Sequence, residues 1–250
     1  EVTPGATVWK RAANKKYSLL LEKTWPQTAV TDPLLMLTLP RSVTVQGALD
    51  ALSHALESIW NVNANPVSDT FAVAAAREVM ATLPPLLAAP DDIDLRARMA
   101  LAALKAGLAF SNTKTALAHS ISYEMTLRYG LPHGIACSFT LPMVLMRAIG
   151  ADPGRDAVLS AVFDGDLAGA PGRLTRLLQQ AGVATEFSAY GVSEDDSQRM
   201  VVAALEGVLA DLLGSVLVAH ARRDRGPQSP ALGFDQLREL DHRRSSDAHT

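Results

Sequence analysis

A change of hydrophobic spacing near residue 43 constrains this chain more than any other feature. Beyond it Ala and Leu are dense, aromatic residues make up only 5% of the sequence, and apolar residues recur at the three- and four-residue intervals of buried helix faces. With 48% hydrophobic residues among 250, the chain can bury a sizeable core. It is therefore expected to be mainly α, a helical bundle. The pattern predicts helices over 43–61, 67–83, 92–110, 114–128, 134–148, 155–163, 171–182 and 194–221.

The residues on either side of the helical part differ in character. Ala6–Trp9 and Tyr17–Leu20 are β-capable runs with a polar turn around Asn14 between them, which predicts a hairpin, and 28–31 is a further short strand candidate. Residues 222–250 are rich in Arg, Asp, Ser, Gly and Pro, which is typical of a flexible tail. The expected organisation is a β part and linker over 1–40, a helical domain over 41–221 and a tail over 222–250.

Charge and cysteine content narrow the classes of function. A net charge of -3 does not favour a nucleic-acid partner, which usually needs a basic face. The single cysteine, Cys137, excludes an internal disulfide and fits a reducing, cytoplasmic location. No run of about 18 apolar residues without charge predicts a membrane span. Residues 1–5 have neither the basic nor the apolar region of a secretory signal.

The first candidate for chemistry is the pair Asp50 and His54. Residues four apart project from one helix face, so a carboxylate oxygen and an imidazole nitrogen can reach the same metal ion. Taken alone, the pair is more often an intrahelical hydrogen bond on a solvated face. The apolar neighbours Leu49, Leu52 and Leu56 favour a buried helix, where a charge needs a partner or a metal.

Two further histidines lie in the apolar helical part. His119 is inside a predicted helix, and Pro132 and Gly134 bracket His133 at a loop-to-helix junction, where glycine allows close backbone approach. Singly, each histidine is more often structural than ligating. Together with the first pair they make one carboxylate and three imidazoles, which suit Zn²⁺ or Fe²⁺ with an open coordination position. Such a set leaves a net positive site that can polarise a carbonyl oxygen.

Two motifs make the chain resemble the iron-containing (group III) alcohol dehydrogenases. In the first, an acidic residue and a proline precede a glycine, an Asp-Ala pair and a glutamate. In the second, a helical histidine is followed fourteen residues later by the histidine of Pro-His-Gly, as at His119 and Pro132–Gly134. The first motif is matched by Asp32, Pro40, Gly47, Asp50, Ala51 and Glu57.

The resemblance implies a ligand set, a fold and a cofactor. The family's metal ligands map onto Asp50, His54, His119 and His133, with Fe²⁺ as the expected metal and Zn²⁺ as the alternative. The implied fold is the dehydroquinate synthase-like helical C-terminal domain, with a short N-terminal β-hairpin remnant. NAD(P)H is expected to bind mainly to an α/β domain outside these residues, because no Gly-rich loop between a strand and a helix is found. A homodimer is expected by analogy.

Departures from the family pattern concern the substrate side. Tyr123 stands where the family usually has a second histidine, and a tyrosine can donate a proton there. The chain resembles the phosphonate-metabolism branch, which reduces phosphonoacetaldehyde to 2-hydroxyethylphosphonate. Lys114 and Arg128 are the cations predicted to bind the phosphonate. The alternative is that both are solvated, with Arg128 suited to a helix C-terminus.

Two other functions compete with the dehydrogenase. A site of three histidines and one aspartate can activate water in a metal-dependent hydrolase. The chain can also be a truncated, non-catalytic helical module that binds metal. A cofactor-independent hydrolytic activity would favour the first, and an in-frame Gly-rich α/β segment upstream would favour the dehydrogenase over both.

Overall fold

Two antiparallel strands precede the helices. In the computed structural model, which describes residues 2–10, 15–20 and 24–206, β1 spans Gly5–Lys10 and β2 spans Lys15–Leu20. Val8 pairs with Tyr17 in their ladder. The predicted hairpin is confirmed, but 28–31 is not a strand. Within the described residues the sheet has only β1 and β2, so 28–31 has no neighbour to accept its backbone hydrogen bonds.

Helices make up most of the remaining described residues, which confirms a mainly α fold. Short 3₁₀ helices lie at Pro33–Met36 and Phe187–Tyr190. The helices are α1 Arg41–Ile59, α2 Pro66–Ala88, α3 Ile93–Thr113, α4 Leu117–Arg128, α5 His133–Ala136, α6 Leu141–Ala148, α7 Pro153–Val162, α8 Ala170–Gln180 and α9 from residue 194 to the last described residue, 206. The predictions for 207–221 and for the 222–250 tail lie outside the described residues.

Several helix boundaries differ from those predicted, each for a local reason. The helix predicted over 134–148 is two helices, because Pro142 cannot donate a backbone hydrogen bond and instead lies in the first turn of α6. The helix predicted from residue 114 begins at Leu117, because Lys114 has a φ of 84° and ends α3. By contrast, α2 continues through Pro84 and Pro85 to Ala88.

The centre of the bundle is α1. It packs against α2 and α3 along its length and against α5 and α4 on another side. Leu49, Leu52, Leu56 and Ile59 are fully buried, which confirms the prediction that this helix is buried. Since α1 carries Asp50 and His54, the same packing that forms the core also brings α4 and α5 against the metal-ligand candidates.

Length and composition alone make α2 the one helix among the described residues that is long and apolar enough to cross a membrane. Its packing is that of a core helix, with Ala72, Ala76 and Leu83 fully buried against the bundle. Its charged Asp69 pairs with Arg155 of α7 at 2.8 Å. We therefore read its apolar composition as the consequence of contact with α1 and α3.

Candidate metal centre

Three of the four predicted ligands converge on a carboxylate oxygen of the fourth. Asp50 Oδ1 lies 3.7 Å from His54 Nε2, 3.4 Å from His119 Nε2 and 3.9 Å from His133 Nε2. These distances exceed the roughly 2.9 Å of an ordinary hydrogen bond. They are close to the roughly 3.4 Å that separates two donor atoms around a tetrahedral metal with bonds of about 2.1 Å. The spacing therefore fits a divalent cation among the donors better than direct hydrogen bonding.

A buried nitrogen without a partner supports the same conclusion. The side chain of His119 is only 3% exposed, and its Nε2 has no hydrogen-bond partner. A buried polar atom left unpaired is costly, so native proteins rarely retain one without a role. This nitrogen faces the carboxylate of Asp50, which is where a ligand to a metal has to lie. The residues present thus fit the metal that the sequence predicts.

The pKa values show how strongly these groups interact. Burial acts to raise the pKa of Asp50, but the imidazoles of His54, His119 and His133 outweigh it and hold that pKa well below its usual range. Burial lowers the pKa of His54 to about 4. Burial acts against the charged form of His119 too, but Glu57 and Asp50 raise its pKa to about 9. At neutral pH, His54 in the metal-free centre is therefore a neutral imidazole, and His119 is a protonated, charged imidazolium.

Aromatic stacking fixes the plane of the His54 ring. It lies between Phe110 of α3, at 4.2 Å between ring centroids, and His119 of α4, at 4.6 Å. Phe110 was not singled out from the sequence, because nothing local distinguishes it from any other apolar residue of a core helix. Its stack covers one face of His54 and limits the rotation of that ligand.

Glu57 is a second buried carboxylate beside the centre. It is fully buried and accepts hydrogen bonds from the backbone N–H of Ala116 at 2.9 Å, the N–H of Ala118 at 2.6 Å and His119 Nδ1 at 2.6 Å. The motif contained Glu57 but assigned it no role, although its position seven residues after Asp50 places both on one helix face. The expected net positive site needs correction, since two carboxylates balance a divalent cation.

Cys137 is a further neighbour that the sequence did not assign to the site. Its Sγ lies 3.3 Å from Asp50 Oδ1, and donor atoms of Asp50, His119, His133 and Cys137 all lie within 4.8 Å of one another. Burial and the Asp50 carboxylate raise the pKa of the thiol well above its usual value. In the metal-free centre the protonated thiol therefore donates to Asp50.

Close contact between α5 and α1 places His133. A Cβ on Gly134 would lie 2.1 Å from the backbone oxygen of Gln46, so only glycine permits this approach, which confirms the sequence prediction. Ser53 Oγ of α1 also lies 3.0 Å from the carbonyl oxygen of Cys137, just after α5. The short helix α5 is thereby held against the helix that carries Asp50 and His54.

The predicted substrate-side residues are spread along α4. Tyr123 is half-buried and lies one turn after His119, hence on the same helix face. Lys114 is exposed just before α4, and its carbonyl oxygen accepts from Asn61 Nδ2 at 3.4 Å. Arg128 lies at the far end of α4 and pairs with a neighbouring glutamate at 3.0 Å. Since α4 is about 18 Å long, the structure does not bring the two cations together, and all three roles stay predictions.

Comparison with known proteins agrees with the fold and with the family resemblance. Residues 44–212 match the model of the Fe-containing alcohol dehydrogenase family, C-terminal domain. The NAD-dependent methanol dehydrogenase of Bacillus methanolicus is 33% identical over 217 residues, which cover 83% of this chain and 57% of that enzyme. The phosphonoacetaldehyde reductase of Streptomyces viridochromogenes is 32% identical over 219 residues, which cover 82% of this chain and 54% of that enzyme.

A solved structure gives the same relationship in three dimensions. The crystal structure of sulfoacetaldehyde reductase from Bifidobacterium kashiwanohense in complex with NAD⁺ superposes with a TM-score of 0.74 at 29% identity, over 80% of this chain and 54% of that one. The chain spans about half the length of the relatives it matches. From its helical fold, its converging histidines and aspartate and these matches, we conclude that the chain belongs to the Fe-containing alcohol dehydrogenase family and corresponds to its C-terminal domain.

Proposed function

We propose that the chain is the metal-binding part of an NAD(P)-linked oxidoreductase that interconverts aldehydes and alcohols. The observation that carries this proposal is the approach of three imidazole nitrogens to within 3.9 Å of Asp50 Oδ1. The donor set of Asp50, His54, His119 and His133 suits Fe²⁺, and Zn²⁺ is the alternative. The nicotinamide cofactor binds mainly to residues outside this chain, and the intact enzyme is a cytoplasmic homodimer.

In this proposal the protein residues hold the donors and supply the proton. A divalent metal bound at this centre supplies Lewis acidity toward a carbonyl oxygen. Ser122 Oγ donates to the carbonyl oxygen of His119 at 2.6 Å and lies 3.4 Å from His133 Nδ1. It therefore accepts from that nitrogen, which leaves the lone pair of His133 on Nε2, the nitrogen that faces Asp50. Tyr123, one turn after His119, donates its phenolic proton to the oxygen of the aldehyde as the carbonyl carbon is reduced, which gives the alcohol.

The experiment that tests the metal centre is metal content by plasma mass spectrometry on anaerobically purified chain. Wild type is expected to hold about one Fe or Zn per chain, because four protein donors bind one divalent ion and leave one coordination position for the substrate. Asp50→Ala is expected to lose the metal. Glu124→Ala, which removes a half-buried carboxylate of α4 that pairs with Arg128, is the matched control and is expected to retain it. A folded wild-type chain without metal, or full metal in Asp50→Ala, contradicts the proposal.

For the substrate, we propose phosphonoacetaldehyde, reduced to 2-hydroxyethylphosphonate. Support comes from the 32% identity to a phosphonoacetaldehyde reductase and from the exposed cation of Lys114 next to the start of α4. A phosphonate dianion needs such fixed positive charge. The test is NAD(P)H oxidation by the chain joined to a cofactor-binding half, with phosphonoacetaldehyde, sulfoacetaldehyde and propanal as substrates. Preference for propanal would contradict the phosphonate assignment and leave the metal centre standing.

A further inference from the structure

Both oxygens of the Glu57 carboxylate are engaged on α4, although Glu57 itself belongs to α1. Oε2 accepts from the backbone N–H of Ala116 and lies 2.6 Å from His119 Nδ1, while Oε1 accepts from the backbone N–H of Ala118 at 2.6 Å. We propose that Glu57 is a positioning residue that sets which nitrogen of His119 carries the proton and aims the other at the metal. The inference rests on the metal centre of the proposed function.

The protonation of His119 follows from what a carboxylate can do. An ionised carboxylate only accepts hydrogen bonds, so the short contact with His119 Nδ1 requires that this nitrogen donate. In the neutral form that can bind a metal, the imidazole has a single N–H, and with that N–H on Nδ1 the lone pair is on Nε2. His119 Nε2 is the buried, unpartnered atom 3.4 Å from Asp50 Oδ1. The opposite tautomer would place a hydrogen where the metal has to bind.

The same carboxylate also anchors the beginning of α4. The N-cap residue Ala116 has no side chain that can accept from the first backbone N–H groups. Glu57 accepts from Ala116 and Ala118 instead, and the positive end of the α4 dipole stabilises its buried charge. Because one side chain holds both the helix start and the imidazole, the position of α4 and the orientation of its ligand are set together from α1.

Glu57→Gln tests this role with little change in size. The amide has one acceptor oxygen, whereas both carboxylate oxygens of Glu57 accept from N–H groups. If the amide nitrogen faces His119 Nδ1, that nitrogen has to accept and Nε2 becomes protonated. If it faces Ala118 N–H, the helix start loses its partner. The matched control is Asn61→Ala, because Asn61 Nδ2 holds the carbonyl oxygen of Thr115 at 3.2 Å before the same helix and no hydrogen bond joins it to His119.

Three measurements on each variant distinguish a residue that orients the His119 ring from one that only stabilises the start of α4. They are the Zn²⁺ Kd by chelator competition, the free energy of unfolding without metal, and the ¹⁵N NMR shifts of the two His119 ring nitrogens in the metal-free chain at alkaline pH, where the ring is neutral. We expect Glu57→Gln to weaken Zn²⁺ binding by about 10–100-fold, as for other residues that orient metal-bound histidines, and to move the ring proton from Nδ1 to Nε2. Asn61→Ala should stay within about twofold of the wild-type Kd and keep the proton on Nδ1.

Each contrary outcome is specific. If Glu57→Gln lowers the free energy of unfolding but leaves the Zn²⁺ Kd unchanged, Glu57 only caps α4 and the inference is wrong. If Asn61→Ala weakens Zn²⁺ binding as much as Glu57→Gln does, general loosening of α4 explains the effect and the inference is again wrong. A wild-type chain that binds no Zn²⁺ or Fe²⁺ overturns the metal centre itself, and this inference with it.

Discussion

Replacing Gly134 with alanine probes how closely α5 must approach α1 for the metal centre to form. An ideal Cβ at Gly134 would lie 2.1 Å from the carbonyl oxygen of Gln46, 2.7 Å from its carbonyl carbon and 2.9 Å from its Cα. All three are backbone atoms, so no side-chain rotation relieves the overlap. Since ordinary contacts between non-bonded carbon atoms are about 3.5–4.0 Å, the two helices have to separate by about 1 Å or more at this point.

The expected effect of Gly134→Ala has two parts. Overpacking a well-packed contact costs about 1–3 kcal/mol, which lowers the free energy of unfolding of the metal-free chain by that amount. Gly134 also adjoins His133, whose Nε2 lies 3.9 Å from Asp50 Oδ1. Metal–donor distances tolerate deviations of only about 0.2 Å, so a shift of about 1 Å displaces this ligand. We expect the Zn²⁺ Kd to rise by about tenfold or more.

Gly47→Ala is the matched control, because Gly47 follows Gln46 on the same helix. Apart from the neighbouring backbone of its own helix, no atom of the described residues lies within 4 Å of the position its Cβ would take. Alanine is favoured over glycine inside a helix by about 0.5–1 kcal/mol, so this variant should be more stable than wild type with an unchanged Zn²⁺ Kd. Urea unfolding and chelator competition measure the two quantities. If Gly134→Ala matched wild type in both, the close approach of α5 to α1 would not be what places His133.

Two further predictions concern charge. Zn²⁺ affinity should increase about tenfold per pH unit from pH 7 to 9 and level off above, because binding displaces the proton that the metal-free centre holds on His119, whose pKa is raised to about 9. Chelator competition across this pH range measures the affinity. A flat profile would contradict the prediction. Lys114→Met should raise the KM for phosphonoacetaldehyde by about tenfold and leave the KM for propanal unchanged, since one charged hydrogen bond contributes about 1.5 kcal/mol. Steady-state kinetics of the chain joined to a cofactor-binding half would measure both values. Equal changes for the two substrates would remove Lys114 from the phosphonate site.

The helices themselves were predictable because local periodicity and burial agree. Apolar residues three and four apart have to leave water together, and a helix is the structure that lets them do so on one face. Boundaries were less predictable where packing outweighs a local rule. Pro84 and Pro85 usually end a helix, yet α2 continues past them, and the buried Leu83 and Leu86 on either side favour that continuation. The value of that burial depends on α1 and α3, which the local sequence does not contain.

The convergence of the candidate metal ligands was predictable for the same reason that the helices were. Asp50 and His54 are one turn apart by the geometry of any α-helix, and the Pro-His-Gly sequence restricts the backbone around His133 without reference to the rest of the fold. The family motif then joined these local features to His119. Spacing and the family motif together thus named the candidate donors, although neither could show how far apart they lie.

Only the tertiary structure decided what surrounds those donors. Glu57 accepts from His119, 62 residues later in the chain, and Phe110 stacks on His54 from another helix. A shared helix face can be read from spacing, but the group that packs onto that face depends on how distant helices are placed by the whole core. The orientation and protonation of the ligands, which determine whether a metal can bind, are therefore properties of the fold and not of any one segment.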